Sequence, residues 1–592
     1  MLGFDRMGRE GRATPGPAPL ARAHDGSRGV RIAWAAAPVA IVATAALLRF
    51  VNLGDRELFR DEAASWLLSS YPLGGMLDHA RFEAYPPLYA VALQLWTGLF
   101  GDGEAALRTL SAIAGVATVV VVWAWGRESL GRVPACIALG LAALSVMLIE
   151  DARDARMYAI ETAFATASWW LTWRLAILPP RRAPWRSLLP TASALVVVAA
   201  GELWTLAFGI PTAALQVLFA GSVAVVSVVS RRRGRAVADE GGAGDQAAAG
   251  PWWAPLPRGP VLAVAAIAVG ASTFLAWLPA LLAVAGNGQP FWTGRPNIDA
   301  IPQTFDRVIG VPWSATEVAQ YVAWALAVAG VVGLLGLGVR RARSGVAVAD
   351  EVDRDRRSRL RWLGLALLMA MTLCPIVWLY SQVRPIYDAR YFGSIAPPLC
   401  LVIAAGVPAM TRLLRNRLIP AALLLVLVAT MASSSLDFVR SRSGSADLDP
   451  AQETMARLVT LTRPGDVVLT NDARTYFLID YYLHRAGGEQ AYGLRVYDWS
   501  GPSQPFFYGT YLISSDRVVT PALVDRVGWA GALPDLRAGG SIWLIAVTAG
   551  NRDDMGFAPT ATGQLVEESR QLVRRPGDGS GKAGQIRQLA IP

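Results

Sequence analysis

The chain has 592 residues, of which 53% are hydrophobic and only 17% are charged, and its mean hydropathy is +0.36. A water-soluble protein of this length normally carries about a quarter charged residues, so the composition excludes an ordinary soluble enzyme. Uncharged runs such as IAWAAAPVAIVATAALL and LIPAALLLVLVATMA are long enough, with their flanks, to cross about 30 Å of hydrocarbon. The sequence therefore predicts a polytopic α-helical membrane protein.

The net charge of +10 arises largely from short arginine clusters that lie between the apolar runs. These clusters are RRAPWR, RRRGR, RRARS, RDRRSRLR and TRLLRNR. Basic residues concentrate in the cytoplasmic loops of membrane proteins, whereas a nucleic-acid-binding protein lines one soluble face with them. The charge pattern therefore predicts cytoplasmic loops and no nucleic-acid partner.

The cysteine content gives no sign of a metal or disulfide framework. Cys136, Cys374 and Cys400 all lie in apolar segments and form no CxxC pair. This pattern excludes a disulfide-stapled scaffold and a zinc knuckle.

In chain order, the first element is a polar, basic and Pro/Gly-rich stretch. Residues 1–31 contain no apolar signal-peptide core and are predicted to be a disordered cytoplasmic tail. The first span, at about 32–51, then acts as an uncleaved signal anchor that runs outward. An external loop follows over about 54–104.

Within this loop, PPLYAVALQLWTGLFG is apolar but short for a membrane span. If it crossed the membrane, the later arginine clusters would fall outside, so we interpret it as a juxtamembrane helix that lies at the interface. Ten further spans are predicted at about 105–125, 133–150, 157–177, 187–206, 208–229, 260–285, 319–339, 362–381, 393–412 and 418–436. The membrane domain, 32–438, then has about eleven transmembrane helices, with every basic cluster on the cytoplasmic side.

The chain changes character at about residue 439. The region 439–592 is polar, and its short apolar runs bounded by Gly, Asp and Asn indicate buried strands alternating with helices. About 150 residues can bury their own core, so we predict a small α/β domain on the extracytoplasmic side. It contains neither a GxGxxG motif nor a P-loop, and we interpret it as a structural or acceptor-contacting cap rather than as the catalytic unit.

Four external stretches carry unusual charge, and the predicted topology places all four on one face of the membrane. They are LFRDEAASWLL, HARFEAYPPLY, EDARDARMYAI and RPIYDARYF, which begin at Leu58, His79, Glu150 and Arg384. Charges at span ends are often only solvated, and arginine can snorkel. The third stretch, however, alternates acids and arginines between two apolar spans, which is costly unless the charges are paired or line a water-filled cavity.

A cavity that combines carboxylates with guanidiniums indicates a particular kind of chemistry. A carboxylate can act as a general base or hold a cation, and the guanidinium fork suits a phosphate. A site with both groups at the bilayer surface predicts a lipid-phosphate substrate.

The ordered set of motifs resembles the GT-C superfamily of membrane glycosyltransferases. Within it, the chain is similar to the bacterial branch of protein O-mannosyltransferases and lipid A aminoarabinose transferases, which is glycosyltransferase family 39-like. The matching motifs are Asp61-Glu62, Pro86 to Tyr89, Asp154 to Tyr158, Phe291-Trp292 and Arg390-Tyr391. They span about residues 30–410, and the C-terminal domain adds little to the match. The resemblance implies a GT-C-like membrane domain below a small extracytoplasmic α/β domain.

The resemblance implies that a sugar moves from a polyprenyl-phosphate donor to an acceptor outside the cytoplasmic membrane, usually with inversion. It implies that Asp61 is the general base, although Asp61 or Glu62 could instead hold a divalent cation or orient the acceptor. Asp154 corresponds to the second acid. Arg156 and Arg390 correspond to clamps for the leaving lipid phosphate, where developing negative charge needs fixed donors. Further candidates for substrate binding are Arg60, Glu83, Tyr85, Arg153, Tyr158, Glu202, Trp292, Tyr387 and Tyr391.

Two positions depart from the family pattern. Tyr85 stands directly before the Pro-Pro pair, where many relatives carry His or Glu. Glu202 stands at the external end of the fifth predicted span, where some relatives carry His. His79 and Glu83 are four residues apart and share one face of a helix, so they are candidates for a metal site or for a hydrogen-bonded surface pair. No cofactor is certain, and a divalent cation is an open alternative.

Two other functions fit part of the pattern. A transporter or flippase predicts charges near the middle of several spans and interrupted helices, whereas the predicted spans are mostly uncharged. A scaffold, or a relative that lost its activity through a change such as Tyr85, would keep the membrane fold without the reaction. The sequence names neither the sugar, with mannose and arabinose among the candidates, nor the acceptor, which is a glycan, a lipid or a protein. Membrane lipids are the remaining expected partner.

Overall fold

The computed structural model describes residues 24–83, 85–180, 183–240, 257–286, 293–310, 317–336, 347–441, 450–499, 512–547, 566–573 and 584–590. This part of the chain is helical up to Ser441 and mixed α/β from Ala451 onward. The first helix begins at His24, so the last residues of the predicted N-terminal tail are helical. The preceding residues lie outside the described part.

Eighteen helices precede the C-terminal region in the described residues. They are α1 (His24–Phe50), α2 (Arg60–Ser70), α3 (Leu73–Glu83), α4 (Leu88–Phe100), α5 (Glu104–Ser129), α6 (Arg132–Leu144), α7 (Val146–Arg153), α8 (Tyr158–Ile177), α9 (Trp185–Thr205), α10 (Gly209–Glu240), α11 (Arg258–Thr273), α12 (Leu278–Gly286), α13 (Ala300–Ile309), α14 (Glu317–Leu335), α15 (Ala347–Met371), α16 (Leu373–Tyr380), α17 (Ala396–Leu414) and α18 (Leu418–Ser441). Two 3₁₀ segments, Phe274–Ala276 and Ala389–Ile395, connect neighbouring helices.

These helices confirm a multi-pass membrane protein. Among the described residues, eight helical segments are long and apolar enough to cross a bilayer, and a ninth span results if α6 and α7, bent by 52°, count as one. Each of the eleven predicted spans falls on one helix or on two consecutive helices. The count is lower because the described apolar part of α1, Ala36–Phe50, is short, and because the charged residues Glu161 and Arg174 lower the mean hydropathy of α8.

The loop between α1 and α5 contains three helices rather than the single predicted one. The predicted juxtamembrane helix is α4, which is apolar and shorter than a span. The sequence pattern did not indicate α2, because its buried residues include Glu62, Ser65 and Ser69 and no apolar stripe marks its inner face. Burial of polar side chains in α2 therefore depends on partners from elsewhere in the chain.

The C-terminal region forms one sheet flanked by helices. Its elements are α19 (Ala451–Leu461), β1 (Val467–Thr470), α20 (Ala473–Arg485), α21 (Glu489–Tyr492), β2 (Arg495–Trp499), β3 (Val518–Val519), α22 (Pro521–Ala532), β4 (Ile542–Ala546), β5 (Val566–Val573) and β6 (Gly584–Ala590). The strand order is β3-β2-β1-β4-β6-β5. The first four strands in this order are parallel, and β6 pairs antiparallel with both neighbours. The fully buried strands β1 and β4 are typical of a parallel sheet covered on both faces.

The helix α2 joins the membrane part to the C-terminal region. Trp66 packs edge-on against Tyr481 of α20, with 5.2 Å between ring centroids. The backbone N–H of Leu58 donates to the hydroxyl of Tyr482 at 3.0 Å. These residues share one continuous apolar core, so α2 packs against the C-terminal region as well as against the membrane part.

Candidate active site

A cavity of about 390 Å³ opens where α2, α7, α13 and the segment before α17 meet. Its charged lining consists of six carboxylates and four guanidiniums: Asp61, Glu62, Glu150, Asp151, Asp154, Asp388, Arg56, Arg156, Arg307 and Arg390. Phe59 and Tyr158 complete the lining. Both signs of charge at a membrane boundary match the predicted combination of carboxylates and guanidiniums.

Asp61 lies in the first turn of α2, where the helix dipole favours a carboxylate. Its Oδ2 is 3.1 Å from Nη1 of Arg390. The side chain of Asp61 is 37% exposed, compared with 25% for that of Asp154. Of these two predicted acids, Asp61 is therefore the more accessible to a substrate in the cavity.

Unlike Asp61, Glu62 is buried, with 1% of its surface exposed. Both of its carboxylate oxygens accept hydrogen bonds. Oε1 accepts from Nε of Arg108 at 2.7 Å and from the backbone N–H of Ala155 at 2.8 Å. Oε2 accepts from Nη2 of Arg108 and from the backbone N–H of Phe59, both at 2.8 Å. Burial alone would raise the pKa of Glu62, but the Arg108 guanidinium and these N–H donors hold it well below its usual range. The prediction that Glu62 is catalytic or holds a cation is therefore corrected, since the structure engages this side chain as an anchor.

Arg108, which the sequence analysis did not single out, ties the same region together. Besides Glu62, its guanidinium donates to the backbone carbonyls of Leu53, Arg56 and Glu57 at 2.7 to 3.0 Å. The pair thus connects the 53–59 loop, the start of α2 and the residues after α7. An arginine inside an apolar helix was the only sequence signal for it.

Arg156 is a second guanidinium of the lining that contacts Asp61. Its Nη1 donates to the backbone carbonyl of Asp61 at 3.1 Å and to Ser65 Oγ at 3.2 Å. Its guanidinium lies 5.7 Å from the ring centroids of both Tyr85 and Tyr158, an arrangement in which aromatic faces stabilise the cation. The structure therefore brings Tyr85, which departs from the family pattern, into contact with a predicted phosphate clamp.

The remaining charged residues of the lining form ion pairs that the sequence did not predict. Asp388 Oδ2 lies 3.3 Å from Nε of Arg390, and Arg307 of α13 pairs with Glu150 of α7. Arg56 approaches Asp154 at 3.9 Å. Neither Arg56 nor Arg307 belongs to a recognisable motif, so only the tertiary arrangement shows that they line the cavity.

Several predicted substrate-binding residues lie elsewhere. Arg153 is buried and donates to the backbone carbonyls at the end of α1, including that of Val51 at 2.7 Å. Tyr387 points its hydroxyl at Thr304 Oγ1, 2.6 Å away. Both side chains therefore hold helices together and do not line the cavity, so their predicted roles are corrected.

Three further predicted residues also lie outside the lining. The guanidinium of Arg60 lies over the ring of Phe59 at 4.9 Å. The ring of Tyr391 packs against that of Tyr158, with 5.8 Å between the ring centroids. Glu202 is 1% exposed inside the bundle, because α9 carries it into the protein rather than toward the cavity.

The predicted metal pair gains no support from the described residues. The ring of His79 stacks on Tyr71 with 4.4 Å between centroids, and the side chain of Glu83 lies outside the described part, as does Trp292. In that part of the chain, no three His, Cys, Asp or Glu side chains are grouped as metal ligands. The cavity carboxylates are instead interleaved with guanidiniums, so these residues do not form a fitting cation site.

Comparisons with known proteins match part of this chain to one family model and nearly all of it to one fold. The family described as dolichyl-phosphate-mannose-protein mannosyltransferase matches residues 84–232. The crystal structure of ArnT from Cupriavidus metallidurans bound to undecaprenyl phosphate is 12% identical, covers 93% of this chain and 97% of that chain, and has a TM-score of 0.54. Its apo state gives 13% identity, 95% and 98% coverage, and the same TM-score. No curated protein matches the sequence significantly.

At this identity the structural similarity shows the fold alone, and it extends over nearly the whole chain. The family match covers α4 to α9 and most of α10, and it includes Arg156 and Tyr158 of the cavity. The two findings confirm the resemblance of this chain to the GT-C superfamily of membrane glycosyltransferases that its motifs predict.

Proposed function

We propose that this protein transfers a sugar from a polyprenyl-phosphate donor to an acceptor hydroxyl at the outer face of the cytoplasmic membrane. The observation that carries the proposal is the accessible Asp61 carboxylate in a cavity with four guanidiniums, directly after the first membrane helix. The family match names a mannosyltransferase with a lipid-phosphate donor, and ArnT, which has this fold, binds undecaprenyl phosphate. A donor anchored in the membrane would present its phosphate at this level.

In this proposal Asp61 is the general base. It accepts the proton of the acceptor hydroxyl while the hydroxyl oxygen bonds to the anomeric carbon of the sugar. The bond between that carbon and the phosphate oxygen breaks at the same time, which inverts the anomeric configuration. A positioned base of this kind typically contributes about 10²–10⁴-fold to the rate.

Arg156 and Arg390 receive the negative charge that develops on the leaving lipid phosphate. Both guanidiniums are already positioned, Arg390 by Asp61 and Asp388, and Arg156 by the start of α2. Fixed donors stabilise developing charge more than mobile ones, because they pay no reorganisation in the transition state. Asp154, which lies 3.9 Å from Arg56, is the second acid and orients the acceptor.

The test is a transfer assay in detergent or nanodiscs with a panel of radiolabelled polyprenyl-phosphate sugars. We expect the wild type to consume one donor and Asp61→Asn to lose at least a hundredfold in turnover while still binding that donor. Asp55→Asn is the matched control, because Asp55 is exposed on the preceding loop and does not line the cavity.

The outcomes separate the competing functions. An Asp61→Asn variant as active as the wild type would show that the base is another group, with Asp154 next to be tested. Donor binding without any consumption would favour a scaffold or a degenerate relative. Movement of an intact donor across a sealed vesicle would favour a transporter or flippase.

A further inference from the structure

A second and larger cavity lies between α2, α4 and the C-terminal region. Its volume is about 870 Å³, within the range of about 300–1,000 Å³ that is usual for small-molecule sites. Helix α4 lines it with Gln94, Thr97 and Gly98, and α20 lines it with Tyr476 and Asp480. Spacings of three and four residues place these side chains on one face of each helix. We call this cavity the α20 cleft.

The charges of the α20 cleft do not suit an anionic ligand. Glu489 binds Arg517 through both oxygens, at 2.6 and 2.8 Å. Asp102 Oδ2 lies 2.8 Å from the ring nitrogen of His484. These pairs occupy both basic side chains of the lining, and they leave Asp480 as an additional carboxylate. The cleft therefore presents an excess of hydrogen-bond acceptors.

Asp480 is the least satisfied of these carboxylates. Among the described residues, none donates a hydrogen bond to its oxygens. Burial and the charge of Glu489 raise its pKa, and although Arg517 and His484 oppose this, the pKa rises to about 6. A carboxylate is acceptor-only when ionised, and holding one without donors costs free energy. A ligand that brings hydroxyl groups would supply the missing donors.

The rest of the lining combines aromatic rings with unfilled space. Trp66, Tyr71 and Tyr476 contribute amphipathic aromatic side chains. A Cβ added at Gly98 would meet nothing within 4 Å, so this helical glycine leaves open space in the lining. Sugars have this same combination of apolar ring faces and hydroxyl-bearing edges.

We propose that the α20 cleft is an acceptor subsite that binds the uncharged, hydroxyl-rich body of a glycan. The helix α2 runs from Asp61 at the catalytic cavity to Ser70 at the cleft, a distance of about 14 Å at 1.5 Å per residue. A short oligosaccharide in the cleft has the length to extend its terminal hydroxyl toward the cavity. This subsite rests on the proposed function, since it assigns the acceptor of that reaction to the glycan class.

The experiment measures glycan binding by the full chain in nanodiscs without any donor. The probes are linear tetrasaccharides of mannose, galactose, glucose and arabinose, with a tetrauronate as the anionic comparison. We expect at least one neutral tetrasaccharide to bind, and Gly98→Leu to bind it at least tenfold more weakly because the added side chain fills the cleft. Asp480→Asn should weaken binding about tenfold, as expected for lost hydrogen bonds to a charged group.

Gly74→Leu is the matched control, since Gly74 is also helical and open but does not line the cleft, and it should bind like the wild type. Binding of no neutral tetrasaccharide, preference for the tetrauronate, or undiminished binding by Gly98→Leu would each overturn the proposal. Donor consumption by the wild type is measured separately. If donor is consumed but no glycan binds, the subsite fails and the proposed function stands; if glycan binds but no donor is consumed, the proposed function fails.

Discussion

The buried Glu62–Arg108 pair holds the start of α2 in place without lying free to touch a substrate, and this role can be tested directly. The change to make is Glu62→Gln, which keeps the shape of the side chain and removes its charge. In the wild type, four N–H groups from Arg108, Phe59 and Ala155 point at the two carboxylate oxygens. The amide retains one oxygen, so two of these donors would face an NH₂ group.

The expected cost follows from this geometry. Each buried donor left unsatisfied costs about 1–3 kcal/mol, and removing one partner of a buried ion pair costs about 3–5 kcal/mol in total. Arg108→Met should cost at least as much as Glu62→Gln, because it also leaves the carbonyls of Leu53, Arg56 and Glu57 without their donor. In a double-mutant cycle, the two losses should be far from additive.

The assay is unfolding of the purified variants in one detergent, together with turnover at a temperature where every variant is folded. Glu62→Gln should lower turnover as well, because the start of α2 and the backbone at Ala155 position Asp61 and Arg156. Asp55→Asn serves again as the exposed control. An unchanged unfolding midpoint for Glu62→Gln would refute the assigned role of the pair, and full turnover in a destabilised variant would refute its positioning of Asp61.

The same pair predicts the acid sensitivity of the fold. The pKa of Glu62 is lower in the folded protein than in the unfolded chain, so its stabilisation is complete above the unfolded value of about 4.3 and is lost as the pH falls through the folded value. The wild type should therefore lose stability below about pH 4, and Glu62→Gln should lose less over the same window. A parallel loss in both proteins would contradict this assignment.

Two further predictions concern single side chains. Arg390→Lys should lower kcat more than it raises the KM for donor, because a lysine cannot contact Asp61, Asp388 and a phosphate with one planar group. Equal kcat for the two proteins in steady-state kinetics would argue against a role of Arg390 in the transition state. Asp480→Asn should raise the unfolding midpoint at pH 7 and not at pH 3.5. The pKa of Asp480 is raised to about 6 in the folded protein, so the folded state becomes less stable as the pH rises through that value. An equal shift of the midpoint at both pH values would contradict this dependence on the ionisation of Asp480.

The position of α2 relates the two cavities to each other. Its first turn carries Asp61 into the catalytic cavity, and its last turn forms part of the α20 cleft. The apolar core that Trp66 and Leu58 share with α20 fixes both ends at once. A change in the C-terminal region would therefore reach the proposed base through α2, even though no described residue of that region lines the catalytic cavity.

The sequence by itself determined the membrane class, the helices at all eleven predicted spans and the short apolar helix α4. These features depend on runs of apolar residues, and the physical requirement to bury or embed such runs is local. It also determined that Asp61, Asp154, Arg156 and Arg390 belong together, because their motifs follow span ends on one predicted face. The structure places all four in one cavity.

Only the tertiary structure decided which charged residues serve the site and which hold the fold. Adjacent in sequence, Asp61 and Glu62 look equivalent, but Arg108 engages both oxygens of Glu62 from another helix and leaves Asp61 accessible. Likewise, Arg153 closes the end of α1, whereas Arg307, which no motif marks, lines the cavity. The physical reason is that a charge near a membrane must find its partner in space, and such partners lie tens to hundreds of residues away in the chain.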